Sequence, residues 1–287
     1  MGCGYIGQAV GQTLALRGER VVGICRNSDS AEALREKGIQ PCVADITSLD
    51  SLQTIPPKFD AVVDCVSSGG QGDEAYRAVY VTGTRNLLEW AKTSPPKIML
   101  FTSSTTVYPQ TNGEWVDESS PTDPAHSSGK ILLKAERLFL ESGLPVVVLR
   151  LGGIYGPGRH ALLDKLRSGV KVLAGEGRHY LNMIHRDDIV QVILAALDRK
   201  PAGQVFNVVD DEPTLQIDAV DWLCQQLKLP PVQFDPAIEP RFKGRLRRGF
   251  QSNRRIRNQK MKAMLDVTLR FPTFREGLLP LLEDKMR

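Results

Sequence analysis

Short apolar runs rich in β-branched residues alternate along the chain with longer stretches in which Leu, Val, Ile and Ala recur every three or four positions. Val21–Ile24, Ala61–Val66, Ile98–Thr102, Val146–Leu151 and Val205–Val209 read as strands. Their near-continuous hydrophobicity is what strands covered on both faces require. Between them, Ile6–Leu16, Asp73–Trp90, Ser128–Leu140 and Asp188–Leu197 have helical spacing. Such alternation predicts an α/β protein with a doubly wound parallel sheet. After about Pro213 the strands thin out and Pro230, Pro231, Pro236 and Pro240 interrupt the chain, which predicts a small C-terminal lobe. No internal repeat is visible.

Composition narrows the class without naming a function. The 287 residues are 41% hydrophobic and 24% charged, as in an ordinary globular protein. No run of about 18 apolar residues is present, so no membrane partner is expected. The N-terminal stretch lacks a leading basic segment and a small-residue cleavage site, so a cytoplasmic location is expected. Five scattered cysteines without CxxC spacing speak for a reducing compartment and against a disulfide framework or a metal site. Charge is uneven: Arg241–Lys262 holds ten Lys or Arg and no acid. That stretch has three readings: a grip on substrate phosphates, a nucleic-acid surface, or a solvated face with a helix beginning after Asn253. Nucleic acid is the least favoured, because Phe242 and Phe250 are its only aromatics and no nucleic-acid motif accompanies them.

Gly2-Cys3-Gly4-Tyr5-Ile6-Gly7 is a GxGxxG turn opening a helix and followed by a strand. In that context the first glycine permits the turn, the second admits a pyrophosphate and the third lets helix meet sheet. Free N–H groups at the helix start would carry the phosphates. The strand that should lead into the loop is not visible before Met1, so the first strand is expected to be truncated. Downstream, the strand runs out at Cys25-Arg26-Asn27, with no acid until Asp29. A neutral residue followed by Arg26 favours NADP(H), with NAD(H) the alternative and a solvated Arg26 the plainer account.

With these residues in hand, the chain resembles the NAD-dependent epimerase/dehydratase family, the extended short-chain dehydrogenases, from Gly2 to about Leu278. Gly4-Tyr5-Ile6-Gly7 matches its glycine loop, and Ala44-Asp45-Ile46 resembles its adenine-contacting Asp-Ile. Val81-Thr82-Gly83-Thr84-Arg85-Asn86-Leu87-Leu88 resembles its "NVxGTxNLL" helix, with Tyr80 where Asn is usual. Thr102–Tyr108 resembles "SSxxVYG", Leu149–Gly158 resembles "LRxxNxYGPG", Met183–Asp188 resembles "xFIHVDD" and Val205–Val208 resembles "xYNIG". The resemblance implies a Rossmann-like sheet with a small C-terminal substrate lobe. It divides the chain into a dinucleotide-binding domain (1–158 plus 183–212) and a substrate-facing lobe (159–182 plus 213–287). The implied cofactor contacts are Gly2, Gly4, Tyr5, Ile6, Gly7, Arg26, Asp45 and Ile46.

The family's Tyr-x-x-x-Lys pair is lost. Counting back from Glu136 puts Ser128 at the Tyr position and Leu132 at the Lys position. Lys130 lies roughly 200° around the helix from Ser128 and cannot substitute. The chain is therefore closest to the atypical branch of the superfamily, and its status as an enzyme stays open. Ser104, by resemblance the catalytic Ser/Thr, remains a candidate to bind substrate, or a turn residue. Tyr155 and His126 are candidate acid/bases, beside the plainer roles of a packed Tyr and a surface His. Asp187 and Asp188 are expected to cap their helix. The expected reaction is that of an NAD(P)-binding oxidoreductase or epimerase/dehydratase acting on a small polar or nucleotide-sugar-like molecule, with a phosphorylated substrate left open. The alternative is a non-catalytic NADP(H) sensor, and the sequence leaves a homodimer open.

Overall fold

Val146–Leu151 reads VVVLRL, and each of its six residues is buried, so no face of this strand meets water. In the computed structural model, which describes residues 1–56, 58–69, 72–238, 241–242, 245–246 and 252–283, this strand lies inside a parallel sheet. We number the sheet strands β1 (Val22–Cys25), β2 (Gln40–Val43), β3 (Ala61–Asp64), β4 (Ile98–Ser104), β5 (Val146–Leu151) and β6 (Val205–Val208). The order β6-β5-β4-β3 forms one four-stranded ladder, and β1-β2 forms a second, all pairs parallel.

Met1–Cys3 joins the two ladders. The Met1 amino group donates to the Val63 carbonyl at 2.7 Å, and the Cys65 N–H donates to the Met1 carbonyl at 3.0 Å. On the other side the Cys3 N–H donates to the Ile24 carbonyl at 3.0 Å. These three residues thus run between β3 and β1, where the resemblance expects the end of the first strand.

Helices α1 (Tyr5–Leu16), α2, α3 (Ser127–Leu140) and α4 (Arg186–Arg199) cover the sheet. The second, α2, is continuous but not uniform: Gly72–Arg77 and Thr84–Thr93 are α-helical, and the turn Ala78–Gly83 between them is π-helical. Alternation along the strands sorts the core into two layers. Met99, Phe101, Val146 and Val148 face Leu87, Leu88, Leu132 and Phe139 of α2 and α3. Ile98, Leu100, Val147 and Leu149 face Ile6 and Val10 of α1 and Ile189 to Ala196 of α4. A third cluster gathers Tyr155, Leu163, Leu166, Leu173, Leu223, Phe274 and Leu278, drawn from segments distant in sequence.

The end of the basic C-terminal stretch is a strand before it is a helix. Arg254–Ile256 is a strand paired parallel with Glu114–Val116, and the helix begins later, at Gln259–Leu265. The five cations between Arg254 and Lys262 are occupied. Arg254 is 4% exposed and donates to the carbonyls of Thr105 and Gln110. Arg255 and Arg257 lie over the Trp115 ring, Lys260 donates to the Val205 carbonyl, and Lys262 pairs with Asp211. Lys243, Arg247, Arg248 and Phe250 lie outside the described residues. Among those described, no helix is long and apolar enough to cross a membrane.

Candidate functional site

A cleft of about 640 Å³ opens at the C-terminal ends of the strands, where ligands of open α/β sheets bind. Its floor is Met1–Ile6. On one side it is walled by Arg26 and Asn27 after β1 and by Asp45, Ile46 and Thr47 after β2. On the other it is walled by Val66 and Ser67 after β3, by Thr102–Ser104 at the end of β4 and by Leu151 and Gly152 after β5.

The three glycines of the loop meet three different constraints. Gly2 has φ +71°, and a Cβ there would stand 2.7 Å from the Val66 backbone. At Gly7 a Cβ would collide with the Gly2 carbonyl, which closes the turn onto α1. At Gly4 a Cβ would meet nothing within 4 Å, so this glycine keeps cleft space clear. Gly4 is also the N-cap of α1, with no side-chain cap and no acid in the first turn. The first N–H groups of α1 therefore have no intrahelical acceptor, and the helix dipole favours an anion there. A bare helix start facing open space is a fit for a pyrophosphate.

Of the residues expected to hold the cofactor, Gly2, Gly4, Tyr5, Ile6, Arg26, Asp45 and Ile46 line this one cleft; Gly7 supports the turn beneath it. Tyr5 is fixed by its hydroxyl, which donates to the Pro157 carbonyl at 3.0 Å, with Arg159 and Arg186 over its ring. Burial pushes its phenol up. The Asp45 carboxylate accepts from the Thr47 N–H and hydroxyl, which sets the loop after β2. Arg26 is exposed at the cleft edge beside Cys25, whose thiol donates to the Asn27 carbonyl at 3.2 Å.

The candidate acid/bases separate. Ser104 lines the cleft, and its hydroxyl also accepts from the Thr106 N–H at 3.2 Å, so it serves the turn and faces the ligand space at once. Tyr155 is 5% exposed within the third apolar cluster, edge-on to His185 and donating to the Thr273 carbonyl at 3.4 Å. Burial, with Asp210 and Asp188 nearby, pushes its phenol far up. His126 caps α3: its Nδ1 accepts from the Gly129 N–H at 2.9 Å and lies 3.0 Å from the Ser128 hydroxyl. Neither Tyr155 nor His126 is among the residues lining the cleft. Asp188 is not a cap, because its carboxylate accepts from the N–H groups of Arg270 and Phe271. His185 caps α4 instead, accepting from the Asp187 N–H at 3.1 Å.

Sequence reasoning missed Ser67, Tyr80, Thr102 and Arg159, which also line the cleft. The signal for Tyr80 was its place where the family has Asn, and for Arg159 its position just after the Gly-Pro-Gly turn. Among the described residues no group of three or more His, Cys, Asp or Glu is placed to hold a metal ion. All five cysteines are free thiols, and burial pushes that of Cys65 up to about 12.

A parallel sheet with a bare helix start and three constrained glycines at its C-terminal edge defines a Rossmann-type dinucleotide-binding protein. The model of the NAD dependent epimerase/dehydratase family matches residues 2–209, and the chain belongs to that family. It is 29% identical over 250 residues to Protein YeeZ of Escherichia coli K12, covering 83% of this chain and 86% of that one. A functionally unknown conserved protein from Silicibacter pomeroyi superposes with TM-score 0.80 at 30% identity, covering 99% of this chain and 96% of the other. A dTDP-glucose 4,6-dehydratase from Bacillus anthracis, solved in complex with NAD, shares the fold with TM-score 0.82 at 18% identity, covering 97% and 92%.

Proposed function

We propose that the chain binds NADP(H) in the cleft and acts as an oxidoreductase or epimerase/dehydratase-like protein on a small polar or nucleotide-sugar-like substrate. The observation that carries the cofactor choice is the pairing of Cys25 with the exposed Arg26 on the cleft wall. No carboxylate lines the cleft at the end of β1 to accept from the ribose hydroxyls, and a guanidinium can fork onto a 2′-phosphate. Gly4 and the start of α1 would carry the pyrophosphate, and Asp45 and Ile46 the adenine side. When bound, the nicotinamide supplies hydride exchange with the substrate. Ser104 would orient the substrate hydroxyl or carbonyl, and Arg159 offers a cation to a phosphorylated group. The lobe formed by 159–182 plus 213–287 would face the substrate. Tyr155 and His126 have no part in this reading. Calorimetric titration of the wild type and Arg26→Ala with NADPH and NADH tests it. Tighter NADPH binding that Arg26→Ala erases is expected; indifference of the wild type to the 2′-phosphate overturns the cofactor choice.

One observation favours a second reading, a cofactor-binding sensor without turnover. Leu132, at the position of the family's Lys, is 2% exposed in the apolar layer, and Ser128 is taken up by His126. Reduced-nicotinamide absorbance that changes with any member of a carbonyl and nucleotide-sugar panel would sink it.

A further inference from the structure

We propose that Tyr80, packed against Tyr76 on the cleft wall, binds the ribose hydroxyls on the nicotinamide side of the cofactor, replacing the hold that Ser128 and Leu132 cannot provide. This rests on the cofactor reading above and names a residue of the same cleft.

Position comes first. The Met1–Ile6 floor divides the cleft, and each half of a doubly wound sheet takes one mononucleotide. Arg26, Asp45 and Ile46, with the adenine and 2′-phosphate chemistry, belong to the β1–β2 half. Ser67 follows β3 and so belongs to the other half. Tyr80 lines the cleft together with Ser67. The Tyr76 and Tyr80 rings are 4.4 Å apart, so the pair is packed as a unit.

The backbone is adapted to this placement. Four residues of α2 face the cleft, Ala75, Ala78, Val79 and Tyr80, and only Tyr80 brings a polar group. It sits inside the π-helical turn Ala78–Gly83, a departure from regular helix that recurs at functional sites. The Tyr80 carbonyl accepts from the Thr84 hydroxyl at 2.8 Å, which fixes the turn from below. Three residues on, a Cβ at Gly83 would stand 2.9 Å from Ile46, so this part of α2 is clamped against the loop after β2.

The chemistry suits a sugar. A ribose diol both donates and accepts, and a neutral phenol beside an exposed serine hydroxyl can match it. Burial, with Asp64 nearby, pushes the Tyr80 phenol up and keeps it neutral at physiological pH. Ser67 is exposed, with its hydroxyl 3.5 Å from the Gly69 N–H, and can turn to a ligand.

The test compares whole cofactor with its adenylate half. Wild type, Tyr80→Phe and Ser67→Ala are titrated calorimetrically with NADPH and with 2′,5′-ADP, which lacks the nicotinamide-side ribose; NADH and ADP serve if the 2′-phosphate proves irrelevant. Tyr80→Phe should weaken whole-cofactor binding about tenfold, the scale of one hydrogen bond, and leave the adenylate half within about twofold. Ser67→Ala, on an exposed residue, should shift the same ratio in the same direction by a smaller factor. Equal weakening of both ligands marks a purely structural tyrosine and overturns the proposal, as does no change in either. A wild type that binds none of the four nucleotides overturns the cofactor reading itself, and this proposal with it.

Discussion

Arg150 and Glu136 form a buried two-pronged ion pair: Nη2 donates to the carboxylate at 2.7 Å, and Nε donates to its two oxygens at 3.1 and 3.2 Å. Glu136 also accepts from the Ser103 hydroxyl at 2.6 Å. Arg150 Nη1 donates to the Tyr108 hydroxyl, which donates to Asn207. One network therefore ties α3 to β4, β5 and β6 under the cleft. Removing one partner strands the other charge, which costs about 3–5 kcal/mol. Glu136→Gln and Arg150→Met should each lose stability on that scale in denaturant titrations. The double variant Glu136→Leu/Arg150→Met should lose less than the sum, since no charge is left behind. Single variants within about 1 kcal/mol of wild type would contradict the role.

The two ends of the glycine loop should fail differently. Gly4→Ala places a methyl in open cleft space, so thermal stability should hold while dinucleotide affinity falls at least about tenfold. Gly2→Ala forces a side chain to φ +71° and against Val66, and should cost roughly 1–3 kcal/mol of folding stability. Calorimetry and thermal unfolding on the same two proteins separate the effects.

Cys25→Asp should reverse the cofactor preference. A carboxylate there would accept from ribose hydroxyls and repel a 2′-phosphate, since like charges brought together cost several kcal/mol. The NADH-to-NADPH affinity ratio should rise at least about tenfold over wild type. An unchanged ratio would remove Cys25 from the adenosine site.

Stability should carry the mark of His185. Burial holds its imidazole down to about 4, from an ordinary 6.5. Between those values the unfolded chain binds a proton that the folded chain refuses. This contribution is present above pH 6.5 and is lost as pH falls toward 4. In this window unfolding free energy should rise with pH more steeply in wild type than in His185→Gln, by up to about 1.4 kcal/mol per pH unit. Burial pushes the Asp188 and Asp210 carboxyls up and gives the opposite slope, but they are common to both proteins and cancel in the difference. Parallel profiles would show that His185 protonates freely.

Much of this architecture is legible in the chain because its cause is local. The runs around Ile98 and Val146 are apolar on both faces and could only be buried strands. Strand β2 was not visible, since Gln40-Pro41-Cys42-Val43 lacks an apolar run; its proline is tolerated in a strand that, among the described residues, pairs with β1 alone. Site residues divide the same way. Gly2, Gly4 and Arg26 announce themselves by backbone demand and position. Tyr155 follows a strand that ends at the cleft, yet its ring turns toward Thr273 and His185, more than a hundred residues and thirty residues away. Asp188 is likewise claimed by Arg270 and Phe271. No local pattern records such distant partners.

The wide turn in α2 sets the angular phase of the helix. A π-turn holds one residue more than an α-turn, so the faces before and after it are offset by about 100°. Deleting a single residue from Ala78–Gly83 would bring the two ends of α2 into common phase and swing Tyr76 by about 100° relative to Leu87 and Leu88. The aim of the tyrosine pair is thus encoded by a residue count, which substitution at any one position would leave intact.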